Sequence, residues 1–193
     1  MNPFKVDGRL ERLLSQYPDS TQFLEAATSL VSREMLVRLW LTEGIPFAFR
    51  DCPALYETTR AWLAARWRVC PKEITLVGSA RLGYSLASSP AYGRPFNAES
   101  DLDLCVVCQP LFQALTDDFT GWRSDYANGI LMPSNAKEQL RWDSNAEFCP
   151  KNITKGFLDA IKVPNRYPTA KMLNGSMWRL NDTLLATPGA PKP

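Results

Sequence analysis

LVGSARLGYSL, residues 76–86, opens on an apolar run, breaks at Gly78-Ser79 and then carries Arg81, Gly83 and Ser85. An aliphatic run that stops on a glycine reads as a buried strand ending where another group comes close to the backbone. Amide N–H groups beside a serine hydroxyl suit a phosphate. A Gly-Ser pair is common by itself, so its meaning depends on what the chain supplies next.

The next short β-rich run is SDLDLCVVC, residues 100–108. Asp101 and Asp103 are two apart, so in an extended chain they face one way, while Leu102, Leu104 and Val106 face the other, toward a core. Strands are poor in aspartate. Two aspartates heading an apolar strand read either as a solvated strand entrance or as ligands of a hard cation such as Mg²⁺. Such an ion is held by one or two carboxylates together with waters and substrate phosphates.

The combination of EITLVGS, a loop and SDLDLCVV resembles the nucleotidyltransferase superfamily of the DNA polymerase β type, closely over residues 73–108 and also over the preceding helix. The resemblance implies an α/β (α+β) nucleotidyltransferase fold, a small mixed sheet flanked by helices with an N-terminal helical extension. It implies that Gly78 and Ser79 contact a triphosphate and that Asp101 and Asp103 are the first two metal ligands. Arg81 is within reach of a phosphate from the same turn, or is a surface arginine. The implied reaction moves a nucleoside monophosphate from an NTP, with ATP expected, to a hydroxyl and releases pyrophosphate. Mg²⁺ or Mn²⁺ is the implied cofactor. The acceptor is a protein, an RNA or a small nucleotide. Compact enzymes of this kind are encoded with bacterial toxin–antitoxin or phage-defence systems, beside a partner protein. A nucleotide-binding or protein-neutralising module that keeps the fold without efficient catalysis is the alternative, and half of a composite site is a third reading.

Two features depart from the family pattern. The spacer between Ser79 and Asp101 holds 21 residues, and its excess, LASSPAYGRPFNAE, is either a lid over the site or a neutral surface insertion. The third carboxylate is expected on a later strand. Asp159 in GFLDAIKV is the best candidate, ahead of Asp143 and Glu147 in a helical stretch.

Composition agrees with histidine-free chemistry. The 193 residues are 45% hydrophobic and 22% charged with a net charge of +2, a globular composition with no strong global field. There is no histidine, which excludes Ser-His and Cys-His nucleophile pairs and most zinc-site designs. Five cysteines, an odd number, and an N-terminus without signal-peptide character point to free thiols in a reducing cytoplasm. Cys105 and Cys108 share a strand but would face opposite ways. Three Asn-x-Ser/Thr triplets then read as chance matches, and no apolar run is long enough for a membrane span. Lys151, Lys155, Lys162, Arg166 and Lys171 form either a phosphate or RNA patch or a solvated face. The six tryptophans read mostly as core.

Periodicity predicts helices over 8–16, from Phe23 to Trp40, over 55–67, from Pro110 to Tyr126, from about Ser134, and over 169–185. Residues 155–164 are ambiguous and read as a possible strand. The expected organisation is a helical extension at 1–70, a core at 71–186 and a tail at 187–193.

Overall fold

The computed structural model describes residues 17–28 and 33–186. They are mostly helical, with one two-stranded antiparallel sheet, and form two compact units. Of the described residues, the first comprises those before Ala61, the segment Ile74–Val106 and those from Thr183. The second comprises Ala61–Glu73 and Val107–Asp182. Among the described residues no helix is long and apolar enough to cross a membrane.

In the first unit, α1 (Ser20–Thr28) starts where the Asp19 carboxylate accepts the amides of Thr21 and Gln22 at 2.9 and 2.8 Å. This satisfies donors that a helix start leaves unpaired. α2 (Arg33–Leu36) widens into a π-helical turn, Val37–Thr42, closed by Glu43 N–H on the Arg38 carbonyl at 3.1 Å. Gly44, with φ +73°, and Pro46 end it. The expected single helix from Phe23 to Trp40 is therefore seen as two pieces, with residues 29–32 outside the described residues, as are the expected helix at 8–16 and the tail at 187–193. Ala26, Leu36 and Trp40 bury their side chains with Leu82 and Tyr84. Phe49, and Tyr56 on α3 (Pro53–Trp67), bury theirs with Leu76 and Ala80.

Through these clusters Ala80 and Leu82 beyond the Gly-Ser pair, and Leu76, Leu102 and Leu104 of the strand segments, pack with side chains of the N-terminal helices. β1 (Ile74–Leu76) pairs with β2 (Leu104–Val106) in the register Ile74↔Val106, Thr75↔Cys105, Leu76↔Leu104.

In the second unit, α5 (Gln109–Ala127), α6 (Ala136–Ile153) and α7 (Pro168–Ala186) as far as Asp182 supply the apolar stripes that periodicity predicts. Trp122 stacks on Tyr126 at 5.9 Å, and Trp142 meets both rings edge-on at 5.8 and 5.3 Å. The buried Asp118 carboxylate accepts Ala170 N–H at 2.9 Å, and the Tyr167 hydroxyl donates to Asp125 at 2.5 Å. α6 begins in a capping box: Asn135 accepts Glu138 N–H, and Glu138 accepts Ser134 N–H. The hydrogen bond from the Ser134 amide holds the Glu138 carboxyl below its ordinary value.

The possible strand at 155–164 is not one. Gly156 turns the chain at φ +87°, and a single 3₁₀ turn, Ala160–Lys162, follows. The side-chain amide of Asn174 donates to the Ala160 carbonyl and that of Asn145 to the Lys162 carbonyl, each at 3.1 Å. Backbone groups that a strand would offer to a neighbour are thus bonded by side chains. One tryptophan expected in the core is not there: Trp178 is 73% exposed.

Candidate functional site

The glycine of the opening segment stands at the end of β1. Val77 is extended, and its N–H donates to the Asp103 carbonyl at 2.9 Å, prolonging the ladder by one bond. Gly78 then turns at φ +64° and opens a five-residue helix, α4 (Gly78–Leu82), which Gly83 closes at φ +92°. A Cβ on Gly78 would lie 2.9 Å from Asp103 Oδ2. The absence of a side chain at 78 is what makes room for the Asp103 carboxylate. A Cβ on Gly83 would similarly lie 2.8 Å from the Phe47 ring.

The alternation expected along the second strand holds. Asp101, Asp103 and Cys105 are exposed; Leu102, Leu104 and Val106 are half-buried. Leu102 and Leu104 pack on the Phe49–Tyr56 cluster. Two carboxylates therefore project from one side of the lead-in to β2, the lower one against the Gly78 turn, with Ser79 half-buried beside it in sequence.

The long spacer is a hairpin. Tyr84 bridges to Pro95, with Ser85 N–H on the Arg94 carbonyl at 2.8 Å and Gly93 N–H on the Ser85 carbonyl at 2.9 Å. Two phenols tie it to the start of α1: Tyr92 donates to the Ser20 carbonyl at 2.9 Å and Tyr84 to the Asp19 carbonyl at 3.3 Å. Burial pushes the Tyr84 phenol well above its ordinary value, so it stays a donor at any physiological pH. A turn at Asn97–Ser100, closed by Ser100 N–H on the Asn97 carbonyl, then delivers the chain to Asp101. The insertion is fastened down, which does not match a free lid.

Arg81 is placed differently from a phosphate ligand. It is 3% exposed, and its Nε and Nη1 donate to the carbonyls of Trp40 and Gly44, both at 2.9 Å. These carbonyls lie in the π-helical turn and just beyond it, where the helical ladder leaves acceptors over. Burial lowers the pKa of the guanidinium. The arginine is committed to the fold, correcting both its reading as a phosphate contact and its reading as a surface residue.

The three candidates for a further carboxylate all belong to the second unit. Asp159 does not lie on a strand: its Oδ1 accepts Ile161 N–H at 3.1 Å and caps the 3₁₀ turn. Asp143 accepts the Tyr126 hydroxyl at 2.6 Å, and Glu147 pairs with Lys151 at 3.7 Å. Among the described residues no three His, Cys, Asp or Glu side chains form a metal-ligating group. All five cysteines are free thiols.

No family model, curated protein or solved structure matches this chain. The chemistry of the site therefore has to be read from its own donors. Two exposed carboxylates on one side of an extended segment are oxygen donors for a hard divalent cation, which takes its remaining ligands from water and phosphate. The space over Gly78, which a Cβ would fill, lets an aspartate and the turn backbone occupy one small volume. Asp101 and Asp103 suit Mg²⁺ or Mn²⁺ on both counts.

Proposed function

We propose that the chain is a metal-dependent nucleotidyltransferase, built on a nucleotidyltransferase-type arrangement of β1, α4 and β2. The observation that carries this is the Asp103 carboxylate set against the side-chain-free face of Gly78. It ties the two halves of the sequence pattern together across 25 positions. Asp101 and Asp103 would hold the cation. A bound Mg²⁺ or Mn²⁺ supplies Lewis-acid stabilisation of the charge that develops on pyrophosphate and activates the attacking hydroxyl. Gly78 keeps the turn open for close approach, and the Ser79 hydroxyl offers a donor to a phosphate oxygen. The substrate is an NTP, ATP by resemblance. The acceptor hydroxyl receives the nucleoside monophosphate as the α–β phosphoanhydride breaks and pyrophosphate departs. Positioning and charge stabilisation carry most of such a reaction, which needs no histidine. A cytoplasmic role beside a partner protein, in toxin–antitoxin or phage-defence chemistry, goes with this reading.

A second reading has its own support. Asp159 caps a turn and Arg81 is buried on backbone carbonyls, so two residues expected to serve the reaction are engaged in folding. That favours a nucleotide-binding or protein-neutralising module in which Asp101 and Asp103 bind a cation–nucleotide complex without efficient transfer. One experiment separates the two. The chain is incubated with α-³²P-labelled NTPs, Mg²⁺ or Mn²⁺ and cell lysate as acceptor source, and compared with Asp101→Asn and Asp103→Asn. Transfer by the wild type that both variants lose supports the enzyme. Nucleotide binding without transfer selects the module. Transfer retained by both variants overturns the metal assignment.

A further inference from the structure

The second unit carries most of the chain's positive charge. Residues 147–182 hold six basic side chains, Lys151, Lys155, Lys162, Arg166, Lys171 and Arg179, against three acids, Glu147, which pairs with Lys151, Asp159 and Asp182. That segment is net +3 in a chain of net +2, so the remainder is net −1. All six basic residues are exposed. Large rings are exposed among them: Phe148 at 51%, Phe157 at 53% and Trp178 at 73%. Exposed rings of this size cost solvation, and their placement among cations is specific enough to ask what covers them.

The fold joins these residues into one surface. Lys171, Asn174 and Trp178 are spaced i, i+3, i+7, so they form a single stripe on α7. Asn174 reaches the Ala160 carbonyl at 3.1 Å and the Asn165 side chain at 2.6 Å, which lays the 160–166 connector along that stripe. From the other side, Asn145 on α6 holds the Lys162 carbonyl. Phe148, Lys151 and Lys155 continue down α6 and its exit turn at i, i+3, i+7, and Lys151 Nζ lies 4.9 Å from the centre of the Phe148 ring. Cations and rings are thus interspersed along the end of α6, the connector and α7.

We propose that this surface binds a single-stranded polynucleotide, independently of Asp101 and Asp103. The cations neutralise successive phosphates. The rings give unpaired bases a face to stack on, an arrangement tolerant of sequence. A duplex cannot use the rings, since its bases are already stacked. An anionic membrane would select a continuous apolar face with a basic flank, not rings separated by cations.

The test uses the full chain in EDTA without NTP, and a short fluorescein-labelled oligouridylate read by anisotropy over a series of KCl concentrations. Binding is expected, weakening with salt. Trp178→Ala should weaken it about ten-fold with the salt slope unchanged, the loss expected of one stacked base. Lys155→Gln, Lys162→Gln, Arg166→Gln and Lys171→Gln combined should flatten the slope of log K against log [KCl] by up to about 3, at roughly 0.7 per phosphate contact. Asp101→Ala/Asp103→Ala should bind as the wild type does, which separates failure here from failure of the transferase reading. All substituted side chains are exposed, and unchanged circular dichroism confirms that the variants fold. No binding at low salt would overturn the proposal. So would a duplex of the same length binding as tightly, or a charge effect with Trp178→Ala silent, since either would mean a generic polyanion response.

Discussion

Gly78→Ala probes the junction on which the proposed site depends. Two separate costs can be worked from the structure. Gly78 has φ +64°, a left-handed conformation that costs an L-residue about 1–2 kcal/mol. The new Cβ would also lie 2.9 Å from Asp103 Oδ2, closer than Cβ atoms tolerate, so the carboxylate must turn away. Forcing that side chain off its rotamer costs about 0.5–1.5 kcal/mol. The sum is about 1.5–3.5 kcal/mol, which for a chain of this length lowers Tm by about 3–14 °C. Asp103→Ala in the same background removes the second cost and leaves the first. A double-mutant cycle in thermal or urea unfolding should therefore show coupling of about 0.5–1.5 kcal/mol, with the double variant less destabilised than the singles add up to. Cation–nucleotide affinity should fall in Gly78→Ala, because the displaced carboxylate is the one proposed to hold the ion. A neutral Gly78→Ala would refute the left-handed turn. A destabilised Gly78→Ala with zero coupling would refute the contact with Asp103, and with it the observation that carries the proposed function.

Further outcomes follow from other parts of the structure. Asp101→Asn and Asp103→Asn should abolish nucleotidyl transfer while Tm moves little, because both side chains are exposed and point away from the core; a large drop in Tm would show that they serve the fold instead. Arg81→Met should destabilise by about 2–4 kcal/mol, since it strips two backbone carbonyls of a charged donor in a buried place; urea unfolding with less than about 1 kcal/mol lost would remove Arg81 from that role. Tyr167 donates to Asp125, and burial and that bond push its phenol up to about 12 from the ordinary 10. The raised value means that its contribution to stability is whole below pH 10 and is lost as pH rises through about 12. Tyr167→Phe should flatten the fall in Tm over that window, and ultraviolet titration of wild type against variant should assign one late-ionising phenol; an unchanged profile would show that the Tyr167–Asp125 bond contributes nothing.

What was legible in the sequence is what short-range periodicity encodes. The apolar stripes of 55–67, 110–126 and 169–185 became α3, α5 and α7 to within two residues at each end. Alternation through SDLDLCVV gave the correct exposed and core-facing sets around Asp101 and Asp103. Periodicity also encodes the exposure of Trp178. On the α7 wheel Trp178 stands about 100° from Met177, off the stripe of Leu173, Met177, Leu180 and Leu184, and it is exposed as that angle requires. Residue type alone places a tryptophan in the core, whereas its angle on the helix places Trp178 outside it.

The rest was hidden because its partners are backbone atoms far along the chain. Arg81 is fixed by carbonyls 41 and 37 positions away, which have no residue identity and leave no pattern to read. The hairpin inserted before Asp101 is anchored the same way, through the carbonyls of Asp19 and Ser20. Asp159 shows the opposite trap. Its apolar flank, Phe157, Leu158 and Ile161, imitates a strand, yet Phe157 and Ile161 are exposed at 53% and 67%. Leu158 and Ala160 are half-buried between them, so exposure alternates as in a strand, yet no strand forms because Gly156 turns the chain and Asp159 accepts the Ile161 amide. The same local capping that makes an aspartate useful at a turn removes it from the place where a strand would have presented it. That leaves Asp101 and Asp103 as the pair that the proposed cation chemistry rests on.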